Sequence, residues 1–454
     1  MRTPVKMLTL ILSLSLGTLQ SEAQQQSQDA KLQMSLKECI EYGLTHHRSV
    51  AIAENNIKNA KEQAREALAG YLPQVNVNAE FDYNLKLQQN VIPAGIFGPT
   101  EQRITFGTKY NSTQSVQLDQ KIYDQSLLTG LQANKEYNKL SEMDAEKNKE
   151  NLIYNISSSY YKILVAQRRL ELLEHNKDQF EKILKVTQLQ AEQGVIKRVD
   201  VKQVQVNLNN VLSQISVTTN DLTLARNTLK NNVGLKQDAE ITLTDTARWL
   251  NQTPAARIYD PFDYKGTIDY QQQKIQIDLY DINRKSIKNQ AIPVLSMYGR
   301  YGANGFGASS VADAYKPLLD YSAVGVKLSW SLFTGFRRDA QYKQAVITMN
   351  NAMENLSLNE ELQNLQFQNA GAAVTRAQST IITNKNNMEL ANEVYENTTL
   401  QYSQGIANLS DLLNSELSYR EAQNNYINSL LDFYLADLDV RKANGTLIQS
   451  MNQL

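Results

Sequence analysis

The chain has 454 residues, with 46 Lys and Arg against 47 Asp and Glu, a formal net charge of −1 and one cysteine. Such balance leaves no electrostatic footprint for nucleic acid, and a lone cysteine builds no disulfide framework. The length allows two or three domains, yet only 8 prolines are present and no Pro/Gly/Ser linker divides the chain.

The N-terminus carries Met1, Arg2 and Lys6, runs apolar through MLTLILSLSLGTL and reaches Ser21-Glu22-Ala23, the pattern of a cleaved secretory signal over 1–23. Its apolar core of about 13 residues falls short of the roughly 20 that a spanning helix needs. Removing it takes away Arg2, Lys6 and Glu22, which moves the net charge from −1 to −2. Cys39 follows Leu36-Lys37-Glu38, which is not the small-residue setting of a lipid-attachment cysteine. No other stretch has the length of a transmembrane helix, so membrane entry would use β-strands or an adsorbed surface.

In chain order, hydrophobic periodicity predicts a helix over 36–70, strands over 74–84 and 109–123 joined by a long loop, a very long helix over 126–193 and a returning helix over 200–232. The same order then recurs: helix 268–290, strands 293–303 and 321–333, long helix 336–403 and returning helix 411–443. YLPQVNVNAEFDY at 71–83 lies on AIPVLSMYGRYGA at 291–303 with an offset of 220. VQLDQKIYDQ at 116–125 lies on VKLSWSLFTG at 326–335 with an offset of 210, and AEQGVIKRVDV at 191–201 on YSQGIANLSDL at 402–412 with an offset of 211. A period this long means a duplicated domain and not a solenoid. The expected division is a first repeat at 24–234 (β-hairpin 74–123, helical hairpin 126–232) and a second at 263–445 (β-hairpin 293–333, helical hairpin 336–443). Segments 235–262 and 446–454 match nothing in the repeat.

The returning helix places Val201, Val204, Leu208, Val211, Ile215, Leu222, Ala225 and Leu229 in a heptad seam, and the second copy repeats the spacing with Leu412, Tyr419, Ala422, Tyr426, Phe433, Ala436 and Val440. Each copy therefore reads as an antiparallel coiled-coil hairpin. A helix of about 68 residues is roughly 100 Å long at 1.5 Å per residue. The returning helix covers half of that, so stacking helix 36–70 on helix 200–232 end to end restores the span, with a waist where they abut.

Strand 74–84 alternates, with Val75, Val77, Ala79, Phe81 and Tyr83 on one face and Gln74, Asn76, Asn78, Glu80 and Asp82 on the other. Strand 321–333 sets Val324, Val326, Leu328, Trp330 and Leu332 against Lys327, Ser329 and Ser331. About ten residues suits a tilted strand crossing a bilayer, and a half-buried soluble sheet would alternate in the same way. Four strands do not close a barrel and an open edge is not tolerated in lipid, so a membrane reading requires oligomerisation, three copies supplying twelve strands.

The leader, the doubled order of helix, β-hairpin and helical hairpin, SLKECIEYGL at 35–44, the QG turns followed by Asp six residues on, and YLADLDVRKANGTL at 434–447 together resemble the TolC family of outer-membrane efflux proteins, over roughly residues 35–447. The resemblance implies a mainly α fold with a membrane β-barrel: a homotrimer with a twelve-stranded barrel in outer-membrane lipid and a twelve-helix tunnel across the periplasm. It implies a passive channel and not an enzyme, without cofactor. Its partners would be a periplasmic adaptor, or membrane fusion protein, and an inner-membrane pump, expected to be of the RND type.

On that resemblance, Gly194, Val195, Ile196, Gly405, Ile406 and Ala407 are candidate adaptor-contact tips, and Asp411, Asn414, Asp200 and Tyr402 form a candidate periplasmic gate. Glycine also suits a plain helix C-cap. Asp411 would form a carboxylate ring able to bind cations, halved in charge because Asn414 occupies the second acidic position. Asp200 and Tyr402 match a contact between neighbouring coiled coils. Ala407 stands where the family has a gate arginine, with Lys197 and Arg198 as the nearby cations. The alternative for Asp200 and Asp411 is N-capping of the returning helices.

The three histidines, His46, His47 and His175, form no ligand-like pair, and neither a catalytic motif nor a P-loop is present. GRYGANGFGAS at 299–309 reads as an extracellular loop between strands. The nine methionines are scattered, which turns the expectation from metal export toward drugs or other small molecules. Two further readings stay open: type I protein secretion through the same channel, and a soluble periplasmic coiled-coil scaffold.

Overall fold

The computed structural model describes residues 32–95, 98–244, 259 and 261–451. The expected leader lies outside them, as do residues 245–258 and 260 of the segment 235–262.

Helix α1 (Leu36–His46) starts on a reciprocal cap in which Ser35 Oγ accepts the Glu38 N–H and Glu38 accepts the Ser35 N–H at 2.7 Å. The helix expected to run unbroken over 36–70 stops at His47, whose extended backbone (φ −70°, ψ 132°) opens α2 (Arg48–Ala69). The long helix expected over 126–193 runs as α3 (Gln125–Leu131) and α4 (Ala133–Glu192), which meet at Gln132, itself in helical conformation (φ −63°, ψ −28°), before α5 (Arg198–Val233) returns. In the second half, α6 (Ile268–Asn289) leads through two strands to α7 (Arg337–Ser403), 67 residues without a break and about 100 Å long. Helix α8 (Leu409–Ala443) returns, and the short α9 (Leu447–Met451) closes the described chain.

A short strand β1 (Leu32–Met34) pairs in parallel with β6 (Ile241–Leu243). Strands β2 (Gln74–Tyr83), β5 (Tyr110–Tyr123), β7 (Val294–Gly307) and β8 (Leu318–Ser329) form one antiparallel sheet in the order β2-β5-β7-β8. Between β2 and β5, β3 (Gln89–Ile92) and β4 (Gln102–Thr105) make a small hairpin in the region expected to be a plain loop.

The glycine-rich run expected to be an extracellular loop is instead largely strand, since β7 extends to Gly307. A Cβ at Gly302 would stand 2.7 Å from the Tyr321 ring, and one at Gly325 2.6 Å from Tyr298 Oη. Gly302 faces Tyr321 and Gly325 faces Tyr298 in the register, so each tyrosine lies across a glycine on the neighbouring strand. Glycine is used here for close approach within a strand. Strand β8 ends at Ser329, short of the expected 333, where Trp330 Nε1 donates to Ala291 O at 3.0 Å.

The helices pack side by side in a single layer. Below the waist the packing order is α5, α4, α8, α7, and above it α2, α4, α6, α7. The heptad positions Val204, Leu208, Val211, Leu222 and Leu229 are buried, as are Leu412, Phe433, Ala436 and Val440. The waist is built where Gly234 (φ +84°) ends α5 against His47, 3.1 Å from a would-be Cβ to His47 Cα. Gly445 (φ +67°) ends α8 against Thr267, the N-cap of α6, in the same way. Only α2 therefore continues the line of α5. Helix α1 turns aside and joins Met34, Ile241, Leu243, Leu447 and Met451 in a core cluster packed on Ile156 and Phe433.

Candidate functional site

Both helical hairpins reverse with the same backbone device. At the end of α4, Val195 N–H reaches Gln190 O at 2.8 Å and Gly194 N–H reaches Ala191 O at 3.2 Å, with Gly194 at φ +72°. At the end of α7, Ile406 N–H reaches Gln401 O at 2.9 Å and Gly405 N–H reaches Tyr402 O at 3.0 Å, with Gly405 at φ +74°. These paired bonds satisfy the last helical carbonyls and require a left-handed residue, which glycine supplies without a Cβ clash. Nothing lies within 4 Å of a Cβ at either glycine. Next to them Val195 is 70% and Ile406 73% exposed, with Ile196 and Ala407 half-buried. Each tip thus presents an apolar side chain to its surroundings on a hydrogen-bonded turn.

Asp200 and Asp411 are not the N-caps of the returning helices. The N-caps are Lys197 and Asn408, and the two aspartates sit three residues later. From there Asp200 Oδ2 accepts the Lys197 N–H at 3.0 Å, while Asp411 Oδ2 accepts the Asn408 N–H at 3.3 Å and the Asn408 side chain accepts the Asp411 N–H at 2.9 Å. Carboxylates in a first helical turn also complement the helix dipole. Asp411 and Asn414 lie one turn apart on the exposed side of α8, away from buried Leu412, Leu413 and Glu416.

Within the chain Tyr402 is hydrogen-bonded not to Asp200 but to Gln190, its hydroxyl donating to Gln190 Oε1 at 3.0 Å. Burial, and after it the nearby Asp200 carboxylate, pushes the Tyr402 hydroxyl above its ordinary pKa, which keeps it a neutral donor. This bond joins α4 to α7, the tips of the two hairpins. Behind it lies a small apolar core of Leu173, Phe180, Val204, Leu208, Leu409 and Leu412.

Sequence reasoning missed a buried polar layer above that core. Glu416 is 5% exposed and lies 3.8 Å from Arg420 Nε, too far for a hydrogen bond. Burial pushes its carboxyl up to about 7, opposed by the Arg420 charge. Arg420 Nη1 has no hydrogen-bond partner among the described residues. Glu416 stands five residues from Asp411 in a seam otherwise read as apolar; its burial follows from the packing of α8 against both α7 and α4, which a heptad pattern on one face does not report.

Among the described residues, no group of His, Cys, Asp and Glu is arranged to hold a metal ion, and no helix is long and apolar enough to cross a membrane.

A family model described as outer membrane efflux protein matches residues 40–235 and 269–446. The chain is similar to outer membrane protein TolC of Vibrio cholerae, 22% identical over 450 residues that cover 97% of this chain and 96% of that protein. It is also similar to the alkaline protease secretion protein AprF of Pseudomonas aeruginosa, 23% identical over 349 residues covering 74% and 70%. Among solved structures, the open state of the Neisseria gonorrhoeae MtrE outer membrane channel superposes with a TM-score of 0.72 at 15% identity, covering 91% of this chain and 89% of that one. The outer membrane protein VceC of Vibrio cholerae superposes at 0.70 with 16% identity, covering 90% and 96%.

Proposed function

Because the chain belongs to the outer membrane efflux protein family, we propose that it is the passive outer-membrane conduit of a tripartite export system. It passes drugs or other small molecules that an inner-membrane pump of the RND type delivers through a periplasmic adaptor. The observation that carries this reading is a pair of matching open edges. The sheet ends in β2 and β8, and the helical layer ends in α2 and α5 on one side and α7 on the other. Strand β2 follows α2 and β8 precedes α7, so sheet and helices share the same two edges.

Those edges are apolar on one face, with Val77 75% and Val324 83% exposed. Unpaired edges bearing an apolar face are not tolerated in lipid, and joining one edge to the other in head-to-tail fashion generates a ring. Three copies of the four-stranded sheet make twelve strands, within the range of outer-membrane barrels, and the helical layers then make the tunnel below it. The leader at 1–23 is removed on export, repeats 24–234 and 263–445 are two copies of one unit, and the described residues of the remaining segments, 235–244 and 446–451, girdle the waist. The exposed tips at Val195 and Ile406 receive the adaptor, and Asp411, Asn414, Asp200 and Tyr402 constrict the mouth between them. The chain carries no catalytic role in this scheme.

The likeness to a protease secretion protein favours one second reading, polypeptide export through the same conduit. A strain lacking the chain should lose resistance to exported small molecules and keep its protein secretion. The reverse pattern would select the second reading.

A further inference from the structure

The sheet contains the same hairpin twice. Val75 faces Leu118 in the first and Leu295 faces Leu328 in the second, the first strand shifted by 220 and the second by 210. Side chains obey the same shifts: Gln120 Nε2 donates to Tyr71 O at 2.8 Å, and Trp330 Nε1 donates to Ala291 O at 3.0 Å. The β5–β7 pairing is then the junction between one hairpin and the next, seen once inside the chain. It sets Gln114 opposite Ala303, Val116 opposite Tyr301, Gln117 opposite Arg300 and Leu118 opposite Gly299.

Moving β5 forward to β8 and β7 back to β2 by those shifts gives the junction that the two free edges make with each other. We propose that β8 of one copy pairs antiparallel with β2 of a second copy in the register that sets Lys327 opposite the second copy's Glu80. The proposal rests on the reading that copies of this chain close into one wall, and names the contact that closes it.

Two features not used in deriving the register agree with it. Val324, Val326 and Leu328 fall opposite Tyr83, Phe81 and Ala79, which places the apolar residues of both edges on one face; a slip of one residue would set them against the polar face. On the other face Lys327 meets Glu80, and among the described residues neither has an ion-pair partner within its own chain. A slip of two residues would keep the faces but set Lys327 against Asn78 or Asp82, so the test has to separate these registers.

The helical base of the same edge is consistent. Ser286 Oγ donates to Ser126 O at 2.9 Å and ties α6 to α3 within the chain. The shifted pair brings Glu66 of the second copy to Phe336 and Arg337, where a carboxylate meets both a helix N-terminus and a guanidinium. A cavity of about 420 Å³ lined by Leu332, Phe333, Phe336 and Arg338 stands open there, and the second copy's α2 would cover it.

The test uses the full chain extracted in detergent, with Val326→Cys combined in turn with Ala79→Cys, Phe81→Cys or Tyr83→Cys; the native Cys39 is fully buried. After oxidation and heating without reductant, the Phe81 combination should give linked dimers and trimers several-fold faster than either neighbour, because directly opposed Cβ atoms are closest. Faster linking through Ala79 or Tyr83, or an oligomer that links through none, overturns the register and leaves the channel reading standing. A monomer in every sample overturns the channel reading itself. Independently, Glu80→Lys and Lys327→Glu should each lower the temperature at which the oligomer dissociates on a gel, and the two together should restore it. Failure of the restoration overturns the pairing.

Discussion

Tyr402 on α7 donates its hydroxyl hydrogen bond to Gln190 Oε1 on α4, and this contact holds the two hairpin tips of one copy together. A neutral hydrogen bond of this kind contributes about 1 kcal/mol, enough to bias a mouth between narrow and wide states without locking it. Tyr402→Phe keeps the ring in place and removes the bond, so single-channel conductance in a planar bilayer should rise. Unchanged conductance would place the constriction elsewhere along the hairpins.

Gly194 and Gly405 have open space around them, so a substitution there is opposed by the backbone and not by neighbours. A β-branched residue held at positive φ costs roughly 1–2 kcal/mol, and relief of that strain would redirect Val195 and Ile406. Gly194→Val and Gly405→Val should therefore abolish export while the oligomer survives on a gel. Export that persists in both variants would mean the adaptor docks away from the tips.

Asp411 pairs reciprocally with Asn408, and an amide oxygen can take over that acceptor role. Asp411→Asn should consequently keep the helix start and the assembly while removing one negative charge per copy from the proposed mouth. Block of channel current by multivalent cations should weaken. Equal block would take Asp411 out of the cation site.

Glu416 gives a pH dependence with a definite sign. Its carboxyl is pushed from 4.5 up to about 7 in the folded chain by burial, so between those pH values the folded state binds the proton more tightly than the unfolded state. Stability is then greatest below that window and falls as pH rises through it, by about 3 kcal/mol at most. Glu416→Gln should flatten this slope, raising the thermal midpoint at pH 8 and leaving it nearly unchanged at pH 4.5. A variant with the same slope as the native chain would show that water or a neighbouring copy solvates the carboxylate.

Element order, the doubled hairpins and the heptad seams were legible because period and burial coincide along helices packed on one face, as at Val204, Leu208 and Val211. The break at His47 was not: it has no proline or glycine at the position itself, and it falls where Gly234 of another helix packs against it. Glycines 302, 305 and 307 looked like a loop because composition cannot distinguish a turn from a strand covered by a tyrosine or by Ala314. At the tips, glycine reversal and the two aspartates were visible, but their position within the first turn was misplaced by three residues. The Gln190 partner of Tyr402 and the buried Glu416 depend on α4 touching α7 and α8, contacts more than two hundred residues apart that no local pattern reports.

If copies of this chain close a membrane barrel through their free edges, the mass of the detergent-extracted protein, read with its heat-modifiability on a gel, will report it. A trimer that resists carbonate extraction from outer membranes, and collapses to the single-chain mass only on heating, is the predicted result. A monomer that washes off membranes with carbonate would contradict the account and leave a soluble coiled-coil scaffold in its place.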